Sequence, residues 1–240
     1  MQAARSAALA ALSALAITTW TAPAAAGTWG PDESTLDQLA HDASQSLLIR
    51  QVLKDANAKS RGSSATRSTK AAVPARTLAP AGAGESMVRK LASAYPADRR
   101  DEVERTFSEL LKGYHQIEDR FGIPRYDTAG AVAAFLAGSL MAYRNEDFPD
   151  PYFKPLVEQM RGVVGGNPAF ASATPAARRE MYEQMAILGM WMATTQMALK
   201  QRPDVTVTAN MKRAAKGYLE QFLNVDAERV QITPQGLVIR

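Results

Sequence analysis

The chain has no cysteine among its 240 residues. That absence excludes disulfide scaffolds, thiol nucleophiles and cysteine-ligated zinc. Histidine is almost as scarce, with two, so imidazole chemistry rests on His41 and His115. Aromatic residues make up only 7% of the chain. No apolar run reaches the roughly 18 to 20 residues that a membrane-spanning helix needs. The Gly165-Gly166 pair precedes Asn167-Pro168 rather than a lysine and a helix start, so it punctuates the chain and does not form a phosphate loop.

Charge of one sign is also lacking, since 28 basic residues face 24 acidic ones. The surplus of +4 is local. Residues 27–53 are net −3, residues 54–90 net +6, and residues 91–240 neutral, with 18 charges of each sign. The high isoelectric point therefore belongs to one short segment, which has no interleaved aromatics. Specific nucleic-acid recognition is not expected from it.

What is present begins with residues 1–26, which read as a secretory signal peptide. Arg5 forms the basic start, an apolar stretch runs from Ala7 to Ile17, and Ala24-Ala25-Ala26 supplies a small-residue cleavage site. The expected location is the periplasm or the medium, with no transmembrane span in the mature chain. Residues 27–55 read as an N-terminal amphipathic helix through Leu36, Leu39, Ala43 and Leu47. Residues 56–86, rich in Ser, Thr, Ala and Pro, read as a flexible basic linker that is too poor in apolar groups to offset its ordering entropy.

Residues 87–240 carry strong helical periodicity. The spacing predicts a helix over 97–121 with Asp98 as its cap and a stop at Gly122. A second, over 128–144, is capped by Asp127 and apolar nearly all round, with Gly130, Ala134, Gly138 and Ala142 at every fourth position. Helices follow over 152–164, capped by Asp150 with Phe148 as a staple, then 175–201 and 207–223. Alternation around Thr233-Pro234-Gln235-Gly236 predicts a terminal β-hairpin. The fold class is therefore all-α, a bundle of about five helices with a small C-terminal hairpin and a separate N-terminal helix.

The stretches DPYFKPLVEQMR (150–161), YEQMAILGMWMA (182–193) and FLNVDAERVQITPQGLV (222–238) resemble an uncharacterised helical domain family of exported proteobacterial proteins. The resemblance spans roughly residues 87–240. It implies the helical fold and an exported setting, and carries over no catalytic or binding residue.

Candidate chemistry is sparse. His115 with Glu118 one turn on could place an imidazole and a carboxylate on one helix face, although a solvated face gives the same spacing. Asp147 and Asp150 supply oxygen ligands in a loop without the glycine and closing glutamate of an EF-hand. Met181, Met185 and Met192 share one side of a helix. That pattern suits either soft-metal ligation or, as exposed residues with Leu188, an apolar groove; core filling suits it equally. No cofactor is expected. The composition points to an exported, non-enzymatic interaction or accessory module whose N-terminal helix meets a protein partner in the cell envelope. The alternative is a hydrolase or a small-ligand or metal-binding protein with its site in the bundle.

Overall fold

The computed structural model describes residues 76–82 and 86–240. The segments read as a signal peptide and as an amphipathic helix with His41, and residues 56–75 and 83–85 of the stretch read as a linker, lie outside the described residues. Within them run seven α-helices: α1 (Met87–Ala92), α2 (Arg100–Phe121), α3 (Thr128–Arg144), α4 (Phe153–Gly165), α5 (Pro168–Ser172), α6 (Pro175–Gln201) and α7 (Val205–Leu223). Strands β1 (Val230–Thr233) and β2 (Gly236–Ile239) close the chain as an antiparallel hairpin. The five long helices and the hairpin match the sequence expectation.

Helix α3 is the axis of the bundle because it has no polar stripe to show to water. From Thr128 to Leu140 every residue is buried, and α6, α4 and α7 pack around it. The stripe of small residues explains how α6 comes so close. A Cβ on Gly138 would lie 2.2 Å from the carbonyl oxygen of Gly189, and one on Gly189 would lie 2.6 Å from the backbone of Ala134 and Phe135. Neither position has room for a methyl group. Phe135, Leu136, Leu156, Met181, Met185, Leu188 and Met192 fill the space around this contact, all buried. Met181, Met185 and Met192 of α6 are thus core residues, and the exposed groove that would need Met185, Leu188 and Met192 at the surface does not exist.

Local signals fix most helix ends. Asp127 caps α3 by accepting from Ala129 N, Thr174 caps α6 at Ala177 N, and Asp204 caps α7 at Val207 N. Gly122, at φ 63°, ends α2 in the left-handed region. Two expected caps are not formed. Asp98 lies in a 3-10 turn, Ala97–Arg99, and the residue before α2 makes no side-chain cap. Asp150 likewise sits in the turn Asp150–Tyr152, where its carboxylate accepts from Arg120 instead. The staple contact survives, with Phe148 edge-on to Phe153 at 6.2 Å.

Residues 76–82, read as linker from composition, belong to the folded body. Ala79 N donates to Tyr126 O at 2.9 Å, Thr128 N donates to Thr77 O at 3.0 Å, and Thr77 and Ala79 are buried. A short strap therefore pairs with the turn between α2 and α3. Composition missed it because backbone pairing needs no large side chain.

At the other end, Gln159 of α4 holds the hairpin. Its Nε2 donates to Leu237 O at 2.9 Å and its Oε1 accepts from Leu237 N at 2.7 Å. Arg144 at the end of α3 donates to Val230 O at 2.7 Å.

Candidate functional site

The last two turns of α2, the first turns of α6 and the α2–α3 turn meet around Glu118. The inward stripe of α2 runs Val103, Phe107, Tyr114, Glu118, so this carboxylate occupies a core position and is 0% exposed. Its Oε1 accepts from Tyr182 Oη at 2.9 Å and from Tyr126 N at 3.1 Å. Its Oε2 faces Arg125 at 3.5 Å, an ion pair without a hydrogen bond. Burial pushes the Glu118 carboxyl up to about 7, against the hydrogen bond from Tyr182 and the nearby charge of Arg125, which favour the charged form. Burial, reinforced by the Glu118 charge, raises the hydroxyls of Tyr182 and Tyr114 as well, so both stay protonated.

His115 lies one turn before Glu118 and is half-buried. Its ring packs edge-on to Tyr126 at 6.0 Å and tilted against Tyr182 at 6.4 Å. Burial, with help from the cations Arg125 and Arg179, lowers its pKa, so the imidazole is neutral at pH 7. Its Nε2 is shielded from solvent and has no hydrogen-bond partner among the described residues. The solvated helix face expected for this pair is therefore wrong: Glu118 points into the core and His115 into an aromatic wall.

Arg179 and Glu183, one turn apart on α6, complete the wall. Arg179 Nε donates to Glu183 Oε1 at 2.6 Å while its guanidinium stacks over Tyr126 at 4.4 Å. Glu183 Oε2 accepts from Met87 N at 2.9 Å, which supplies an acceptor for the start of α1. Tyr126 itself is held at φ 65°, a conformation unusual for a bulky residue. Behind it Asp127 is fully buried. Its Oδ1 accepts from Thr77 Oγ1 at 2.6 Å and its Oδ2 from Arg161 Nε at 2.8 Å.

A cavity of about 440 Å³ opens beside this cluster, between α1, α2 and α6. His115, Arg179 and Glu183 form its inner wall, Val88 and Leu111 an apolar side, and Arg89 and Lys112 its rim. The Ser108 hydroxyl also lines it but donates to Glu104 O at 2.8 Å, within its own helix.

The remaining candidates are dispersed. Asp147 pairs with Lys200 at 2.8 Å and Asp150 pairs with Arg120, so the two carboxylates serve different cations. Among the described residues no three His, Asp or Glu side chains gather as a metal site. Met181, Met185 and Met192 are enclosed by the apolar core.

One family model matches residues 6–240, nearly the whole chain. The chain belongs to DUF6683, a family of unknown function. The DUF6683 match reaches well beyond the 87–240 stretch that carried the resemblance, taking in residues 27–86 as well. No curated protein and no solved structure matches the chain.

Reading the sequence alone missed Tyr182, Arg179, Glu183 and the Arg125–Tyr126 turn. The first three were within reach, since residues 179, 182 and 183 share one helix face and place a cation, a phenol and a carboxylate together. The turn residues had no such signal, because their partners lie on α2 and α6.

Proposed function

We propose that this DUF6683 protein is an exported, non-enzymatic binding module whose recognition site is the cavity beside His115. The observation that carries the reading is the fixed inner wall of that cavity. Arg179 is locked between Glu183 and the face of Tyr126, Glu183 is bonded through both oxygens, and the lining Ser108 donates to its own helix. Such groups are arranged to orient a ligand, whereas nucleophilic catalysis needs a hydroxyl or carboxylate presented to a free base.

Export is supported by the Arg5 start, the apolar stretch and the Ala24-Ala25-Ala26 site. The amphipathic 27–55 segment serves as a second recognition element, for a protein partner in the envelope. Fractionation of cells expressing the full chain, with amino-terminal sequencing, is expected to place a chain beginning at Gly27 outside the cytoplasm; recovery of the uncleaved chain in the cytosol overturns the export reading. A screen of small molecules by amide NMR is expected to perturb residues 108–115 and 179–183. Silence of these amides across neutral, cationic and anionic compounds overturns the binding reading.

A further inference from the structure

We propose that the cavity takes a small organic anion, a carboxylate attached to a compact apolar body; this rests on the cavity being the recognition site. Among the described residues the lining carries three cations, Arg89, Lys112 and Arg179, and one carboxylate, Glu183; Arg179 and Glu183 offset each other, which leaves the surplus with Arg89 and Lys112. The carboxylate is already neutralised, since Arg179 occupies one oxygen and Met87 N the other. It therefore offers little to a cationic ligand. Arg179 Nη1 lies 3.5 Å from Pro80 O and the side chain is only 13% exposed, so this cation is a fixed part of the inner wall.

The rim adds charge without rigidity. Lys112 pairs with Glu109 at 2.6 Å and Arg89 with Glu104 at 3.8 Å, but all four side chains are solvent-exposed and neither glutamate lines the cavity. Exposed pairs of this kind exchange partners at little cost, so both cations can turn to an incoming anion. His115 is neutral at pH 7 and lends no charge of its own to the site. Val88 and Leu111 face the space between these cations, which suits an apolar body rather than a bare inorganic ion.

The test is an amide NMR titration of the full chain with benzoate, with benzamide as the isosteric neutral control. Benzoate is expected to give saturable shifts at residues 108–115 and 179–183 and to bind at least about fivefold more tightly than benzamide. Lys112→Glu, at a side chain 68% exposed and away from the core, is expected to weaken benzoate about fivefold or more. Lys90→Glu, outside the lining, is expected to leave it unchanged. Benzoate binding no tighter than benzamide, or unaltered by Lys112→Glu, overturns the anion assignment while leaving a cavity that binds. Absence of shifts with both compounds overturns the assignment too, and the wider binding reading then falls only if the full screen is silent.

Discussion

Replacing Glu118 by glutamine isolates the cost of ionising a carboxylate inside this bundle. The glutamine keeps an oxygen for Tyr182 Oη and Tyr126 N, so the hydrogen bonds that locate the α2–α3 turn remain. What it removes is the titration. In the folded chain Glu118 holds its proton up to about 7, against an ordinary value of 4.5. The folded state therefore binds the proton more tightly than the unfolded state, and stability falls as pH rises from 4.5 to 7. At 1.36 kcal/mol per pH unit the full penalty is about 3 kcal/mol, reached above pH 7.

Urea denaturation followed by circular dichroism, at pH 4.5, 6 and 8, measures it directly. Glu118→Gln is expected to match the parent at pH 4.5, apart from a constant offset, and to gain on it by about 2 to 3 kcal/mol by pH 8. Other carboxylates titrate alike in both proteins and cancel. A difference that stays flat with pH, or a variant that loses ground as pH rises, would refute the account of Glu118 as a buried, reluctantly ionised group.

Gly138→Ala forces a methyl group into the Gly189 backbone and is expected to destabilise the fold by about 2 to 3 kcal/mol, read as a lower urea midpoint with unchanged slope. Asp127→Ala takes the partner from the buried Nε of Arg161, which keeps only Glu158, and removes the α3 cap, with an expected loss of about 3 kcal/mol by the same measurement. A chain beginning at residue 76 is expected to unfold like the full chain. One beginning at residue 83 loses the strap and with it about 2 kcal/mol or more, visible as a lower melting temperature.

How much of this was legible in the sequence depended on how local the cause was. The starts of α3 and α6 follow from Asp127 and Thr174, whose side chains bond within three residues, whereas α7 begins at Val205, ahead of the expected 207, because Asp204 caps it. The close α3–α6 approach follows from the four-residue stripe that includes Gly138. Glu118 was misread because helical spacing tells which residues share a face but not which face is covered. Its partner Tyr182 is 64 positions away, and only packing brings the two together. Asp98 and Asp150 had the right chemistry for caps, but a 3-10 turn stands at each position and Arg120 claims the second carboxylate. The strap at 76–82 was hidden for a similar reason, since its stabilising bonds are made by backbone atoms and by one threonine to a residue 50 positions on.

The grip of Gln159 on the terminal hairpin bears on how the protein behaves in company. A two-stranded sheet has two open edges, and each is a template on which another chain can lengthen the sheet. On β2, the amide and carbonyl of Leu237 are matched by one glutamine side chain that acts as a single residue of a third strand. On β1, the Val230 carbonyl is held by Arg144. Leu237 and the Val230 carbonyl are thus engaged from within the same molecule, which leaves a stray strand fewer places on the hairpin at which to begin pairing.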